Sequence, residues 1–132
     1  MLRPRILVID DDPHLVRVVS MYLQVEGYEV VTARDGEEGL RDLEVNGADL
    51  VVLDVMMAGM DGVSTCRAIK GDPRFQHIPV IMFTALDREA DEELGRAVGA
   101  DRYLAKPFSL VGLGEVIRGH IEGIAEPVDI GP

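Results

Sequence analysis

The sequence has no tryptophan, a single cysteine and few cations, and two of these shortages each remove a class of protein. Cys66 alone cannot form an internal disulfide, so a cross-linked secreted scaffold is excluded. Only 13 Lys and Arg stand against 24 Asp and Glu, giving a formal net charge of -11. A phosphate backbone or an anionic membrane is therefore a poor direct partner, because binding there needs clustered cations. No apolar stretch approaches the length of a membrane span, and no charged-then-apolar leader precedes the first strand pattern. A cytoplasmic location is expected. His14, His77 and His120 lack the spacing of a zinc site, and there is no GxxxxGK[ST] phosphate loop. Internal repeats, linkers and low-complexity segments are also missing.

What is present is a chain of 132 residues, 47% hydrophobic and 28% charged, the size and balance of one globular domain. Its focus is the stretch Ala48 to Asp54. The run Leu50 to Leu53 is apolar without alternation, which suits a central strand covered on both faces, and Asp54 falls where that strand should surface. Ile6 to Ile9 is a second such run, ending in Asp10, Asp11 and Asp12. Asp12 and Pro13 read as the N-cap and first residue of a helix carrying Leu15, Val18, Val19, Tyr22 and Leu23, stopped by Gly27.

Residues 28–33 alternate as an edge strand, and Asp35-Gly36 opens a second helix that ends near Asn46-Gly47. Asp61 starts a third helix with Val63, Cys66 and Ile69 on its apolar face, where Cys66 is a small core residue. Pro79 to Phe83 is a fourth strand reaching Thr84 and Ala85. Asp87 caps a fourth helix with Ala90, Leu94, Ala97 and Val98. Arg102 to Ala105 is a fifth strand before Lys106-Pro107, and Ser109 caps a last helix that Gly112, Gly114 and Gly119 weaken. Strand and helix thus alternate five times. This predicts an α/β fold, a flavodoxin-like doubly wound five-stranded parallel sheet of order 2-1-3-4-5 with five helices. In that order the carboxyl ends of strands one and three lie side by side at the crevice where such folds bind ligands.

Asp10, Asp11 and Asp54 would meet there. Like charges a few Å apart repel by about 1 to 4 kcal/mol, so the cluster calls for a divalent cation, and hard carboxylate oxygens suit Mg²⁺ better than Zn²⁺. Thr84 and Lys106, at the ends of strands four and five, supply a hydroxyl and an ammonium that complement a dianionic phosphoryl group.

Four segments, ILVIDDDP (6–13), DLVVLDVMMAGMDG (49–62), IPVIMFTA (78–85) and GADRYLAKPF (99–108), together resemble the receiver domain of two-component response regulators of the CheY-like superfamily. The resemblance runs over about residues 5 to 123. It implies a receiver domain over 1–123 followed by a short tail over 124–132. Asp54 matches the phosphoacceptor, Asp11 a direct Mg²⁺ ligand, Asp10 a ligand acting through water, and Met56 the position whose backbone carbonyl reaches the metal. Thr84 matches the switch hydroxyl, Ala85 the small residue that keeps access open, Lys106 the phosphate-pairing lysine and Tyr103 the aromatic switch. The Lys106-Pro107 peptide bond matches one that is usually cis.

The implied function is Mg²⁺-dependent transfer of a phosphoryl group to Asp54 from a sensor histidine kinase or phosphotransfer protein. This switches the face of the fourth helix, fifth strand and fifth helix for a downstream protein target, or for a fused output domain not present here. Such a protein is not an enzyme on other substrates; it catalyses only its own phosphorylation and dephosphorylation. A phosphate-independent interaction module is the alternative, and the complete set of Asp10, Asp11, Asp54, Thr84 and Lys106 argues against it. A phosphohydrolase would want an acid at position 56, which is Met56. A flavin or nucleotide binder would want a phosphate cradle where Asp10 to Asp12 repel phosphate.

Overall fold

The structure, a computed structural model, describes residues 3–57, 61–84, 93 and 96–123. Its elements in chain order are β1 (Arg5–Ile9), α1 (Pro13–Val25), β2 (Glu29–Ala33), α2 (Gly36–Asn46), β3 (Leu50–Asp54), α3 (Gly62–Gly71), β4 (Val80–Thr84), a helix α4 of which Glu93, Arg96, Ala97 and Val98 are described, β5 (Arg102–Ala105) and α5 (Leu110–Glu122). The five strands form one sheet in the order β2-β1-β3-β4-β5. All four pairings are parallel. The order and the crossovers are those that the alternating strand and helix patterns predict.

The core has two layers because each central strand sends alternate side chains to opposite faces. Ile6, Val8, Leu50, Val52, Ile81 and Phe83 pack with Val19 and Leu23 of α1 and Leu113, Val116 and Ile117 of α5. Leu7, Ile9, Val51, Leu53, Val80 and Met82 pack on the other face with Leu43 of α2 and Cys66 and Ile69 of α3, and Val98 of α4 leans on the same layer. The residues of β3 and β4 are all buried, as expected of strands covered on both faces. Fully burying each such aliphatic side chain contributes roughly 1.5 to 3 kcal/mol. β2 stands at the sheet edge and is only partly buried, which explains its alternating sequence.

Helix starts follow from capping side chains. Asp12 accepts from His14 and Leu15 N–H ahead of α1, Asp35 from Glu38 N–H ahead of α2, Asp61 from Ser64 N–H ahead of α3, and Ser109 from Gly112 N–H ahead of α5. Each satisfies an amide that the first turn leaves without a partner. Of the three glycines in α5, Gly114 has a packing reason, since a Cβ there would stand 3.1 Å from the Tyr22 ring of α1. The expected cap and apolar face of α4 at Asp87, Ala90 and Leu94, together with Ala85 and the tail over 124–132, lie outside the described residues.

Candidate phosphoacceptor and metal site

The register brings the acids together. Ile9 of β1 pairs with Leu53 of β3, so the next residues, Asp10 and Asp54, emerge side by side at the carboxyl edge of the sheet. Asp54 pairs with Phe83 across β3 and β4, and Thr84 pairs with Ala105 across β4 and β5. One edge therefore carries Asp10, Asp54, Thr84 and the start of the Lys106 turn. A hydrogen bond of 2.8 Å from Lys106 N–H to the Thr84 carbonyl ties that turn to β4. The peptide bond between Lys106 and Pro107 is cis.

Asp10 and Asp54 are 2% and 5% exposed, which puts two carboxylates in nearly dry surroundings, while Asp11 is exposed. One oxygen from each of the three acids can lie within 4.8 Å of the others, a hard all-oxygen donor set. The fit to a divalent cation such as Mg²⁺ is good in ligand type and charge.

The ammonium of Lys106 sits 3.2 Å from Asp10 Oδ2 and 3.2 Å from Asp54 Oδ1, bridging the two buried acids. The remaining oxygen of Asp10, Oδ1, accepts from Asp12 N–H at 3.0 Å. Both oxygens of Asp10 are therefore engaged by the protein itself. The sequence pairs Lys106 with a phosphoryl group; its bridge between the acids is an addition that only the tertiary structure supplies.

The charges perturb one another. Burial pushes the Asp54 carboxyl up, and the neighbouring Asp10 charge pushes it further, to about 6, although Lys106 and a hydrogen bond from the Met56 backbone pull it back. For Lys106, burial works against the ammonium but the Asp54 and Asp10 carboxylates outweigh it, so its pKa is raised. Asp54 is thus a buried, destabilised carboxylate beside a firmly protonated lysine.

The remaining expected residues fall around this centre. Thr84 is fully buried, and its Oγ1 has no hydrogen-bond partner among the described residues. Tyr103 is half-buried and packs on the α2/α3 layer, with its hydroxyl inside the protein. The side chain of Met56 is 67% exposed, so its link to the site is through its backbone.

Two contributions escape the sequence reading. Gly62 approaches β3 so closely that a Cβ there would overlap the Asp54 carbonyl and stand 2.7 Å from Val55 Cα. Its N–H donates to the Val55 carbonyl at 3.0 Å, tying the start of α3 to the end of β3. Phe108 stacks on Phe83 with ring centroids 4.3 Å apart. The Asp61-Gly62 pair is visible in the sequence as a helix start, but its closeness to strand β3 is not.

A sheet of this order with this acid and lysine set at its carboxyl edge defines a receiver-type signalling domain. The response regulator receiver domain model matches residues 6–118, and the chain belongs to that family. It is 42% identical over 108 residues to the alkaline phosphatase synthesis transcriptional regulatory protein PhoP of Bacillus subtilis, a match covering 82% of this chain and 44% of PhoP. It is 37% identical over 125 residues to protein PilG of Pseudomonas aeruginosa, covering 95% of this chain and 92% of PilG. The chain thus spans less than half of PhoP and nearly all of PilG.

Among solved structures, chemotaxis protein CheY4 of Vibrio cholerae superposes with a TM-score of 0.84 at 32% identity, covering 89% of this chain and 98% of that one. The signal receiver domain of a signal transduction histidine kinase from Syntrophus aciditrophicus superposes with a TM-score of 0.86 at 32% identity, covering 98% of each chain. Among the described residues no helix is long and apolar enough to cross a membrane.

Proposed function

We propose that this receiver domain takes a phosphoryl group on Asp54 from a sensor histidine kinase or phosphotransfer protein, and that the phosphorylated form presents an altered surface to a downstream partner. The observation that carries the reading is the joining of Asp10, Asp11 and Asp54 in one acid cluster with Lys106 between two of them. Asp54 stands at the carboxyl edge of the sheet where such folds bind ligands, and because an acyl phosphate there carries more negative charge than the carboxylate, the cation of Lys106 beside it is needed to offset that charge.

In this reading Asp11, Asp54 and the backbone carbonyl of Met56 would hold Mg²⁺, with Asp10 supporting it through water. The ion supplies charge neutralisation for the transferred group. An Asp54 carboxylate oxygen forms the new bond to phosphorus as the bond from phosphorus to the donor breaks, and the donor leaves with the electron pair. Lys106 neutralises phosphoryl oxygens, and the otherwise unsatisfied Thr84 hydroxyl gains an acceptor. Thr84, in moving, vacates space for Tyr103, which couples the site to the face formed by α4, β5 and α5.

The protein then catalyses its own phosphorylation and dephosphorylation and has no other substrate. Its downstream target is a separate protein or an output domain fused outside these residues. A net charge of -11 disfavours direct nucleic-acid and anionic-membrane contact, and the buried thiol of Cys66 agrees with a cytoplasmic setting.

The test is the phosphorylated state itself. With Mg²⁺ and acetyl phosphate, tryptic peptides of the wild type should carry one acid-stable, base-labile phosphoryl group on the peptide containing Asp54. A group on another residue would refute the assignment. A protein that takes none but still binds its partner is a phosphate-independent interaction module.

A further inference from the structure

The Asp10 and Asp54 carboxylates attract the Lys106 ammonium, and the turn that carries it is anchored as well. That anchor lies two residues further on. Phe108 sends its ring back against the α1/α5 layer, where it stacks on the fully buried Phe83 at 4.3 Å and an interplanar angle of 23°. The ammonium of Lys106 lies 5.9 Å from the centroid of the same Phe83 ring, within the reach of a cation–π attraction. Phe83 is also the strand partner of Asp54. One ring of β4 therefore stacks on Phe108, lies within cation–π range of Lys106 and stands beside the acid that the lysine bridges.

The turn is held at both ends, by Lys106 N–H on Thr84 and by the Ser109 cap of α5. Between them, Phe108 is the side chain that enters the core. Stacked rings resist sliding, because the offset geometry is preferred over neighbouring ones. The stack therefore fixes the backbone on the far side of Pro107 from Lys106.

We propose that Phe108 is a positioning residue: its stack on Phe83 holds the Lys106 ammonium between Asp10 and Asp54, where the lysine competes with a divalent cation for the same carboxylates. The proposal rests on reading the acid cluster as a metal-dependent phosphoacceptor. Loosening the stack frees the carboxylates for metal and at the same time takes from the phosphoryl group the cation that should meet it. The two effects run in opposite directions, tighter metal binding with slower phosphorylation, which general loosening of the fold does not produce.

The experiment is a double-mutant cycle in Mg²⁺ affinity, measured calorimetrically on wild type, Phe108→Leu, Lys106→Met and the double variant. Leucine keeps the apolar volume and removes the ring. Lys106→Met should tighten Mg²⁺ binding about tenfold, on the scale set by one charge removed from a few Å away. Phe108→Leu should tighten it by roughly threefold when Lys106 is present and leave it unchanged in the Lys106→Met background. Phe108→Tyr, which keeps the stack, should match the wild type. Phosphorylation by acetyl phosphate, followed by intact mass, should slow in Phe108→Leu.

The proposal is overturned if Phe108→Leu leaves Mg²⁺ affinity at the wild-type value, weakens it, or shifts it equally with and without Lys106. A failed cycle in a protein that takes its phosphoryl adduct removes this proposal alone. Absence of Mg²⁺ binding in all four proteins removes it together with the metal-dependent reading.

Discussion

Asp54→Asn should make the unphosphorylated protein more stable at neutral pH, although it removes a partner of Lys106. The reason is that folding raises the Asp54 pKa from its usual 3.8 to about 6, first by burial and then by the Asp10 charge. A raised carboxylate pKa means that the folded state holds its proton longer than the unfolded chain does. The group contributes stability below pH 4 that is lost as pH rises through about 6, and above that pH the charged Asp54 is a net cost of about 3 kcal/mol at most. Asparagine removes the charge and keeps the shape.

Urea denaturation in chelator between pH 4 and 8 should find the variant more stable by about 1 to 3 kcal/mol at pH 7.5, with a melting temperature higher by several degrees. The gap should shrink steadily below pH 6 and close near pH 4. A variant less stable than wild type at pH 7.5, or a gap independent of pH, would refute the argument. The first result would mean that the Lys106 bridge outweighs the cost of burying the charge, and the second that folding leaves the Asp54 pKa unchanged.

Other expectations follow from single contacts. Thr84→Val should leave the unphosphorylated protein as stable as wild type or up to about 1 kcal/mol more stable, since the buried Oγ1 has no partner among the described residues; a loss above that in chemical denaturation would reveal a missed bond. Gly62→Ala should cost upwards of 2 kcal/mol and weaken Mg²⁺ binding, because the added Cβ displaces the Asp54 carbonyl and Val55; unchanged calorimetric titration would contradict this. Asp12→Ala should cost about 1 kcal/mol through the lost α1 cap, with no change in metal affinity beyond error.

Much of the fold can be read from the sequence because its local signals agree with one another. Leu50 to Leu53 had to be buried on both faces, and Asp12, Asp35, Asp61 and Ser109 each precede an apolar helical pattern and each cap it. Boundaries shift by a residue or two where composition is indifferent: the stretch beginning at Ala48 is strand only from Leu50, and the one beginning at Pro79 only from Val80, although Asp49 N–H already donates to the Arg5 carbonyl and the Pro79 carbonyl accepts from Val51 N–H. The start at Val80 follows from proline lacking a donor for the ladder.

The acid cluster was legible for the same reason, since strand order places Asp10 next to Asp54. The contacts that set its electrostatics were not. Lys106 reaches Asp10 across 96 residues of sequence, and Phe108 finds Phe83 across 25, pairings that no periodicity encodes. Arg5 is a further case at the opposite end of the sheet. Its guanidinium meets Glu29 at 2.7 Å, Asp42 at 3.2 Å and the Gly47 carbonyl at 2.9 Å, joining β1 to β2 and to both ends of the α2 C-terminal turn. In the sequence it is one cation before an apolar run.

The most direct measurement is intact mass after incubation with Mg²⁺ and acetyl phosphate, on wild type and Asp54→Asn, with and without chelator. The reading requires one phosphoryl adduct on the wild type, none on the variant, and loss of the wild-type adduct when Mg²⁺ is chelated beforehand. An adduct that survives the Asp54→Asn change, or a wild type that takes none from any acyl phosphate or phosphohistidine donor, would contradict it.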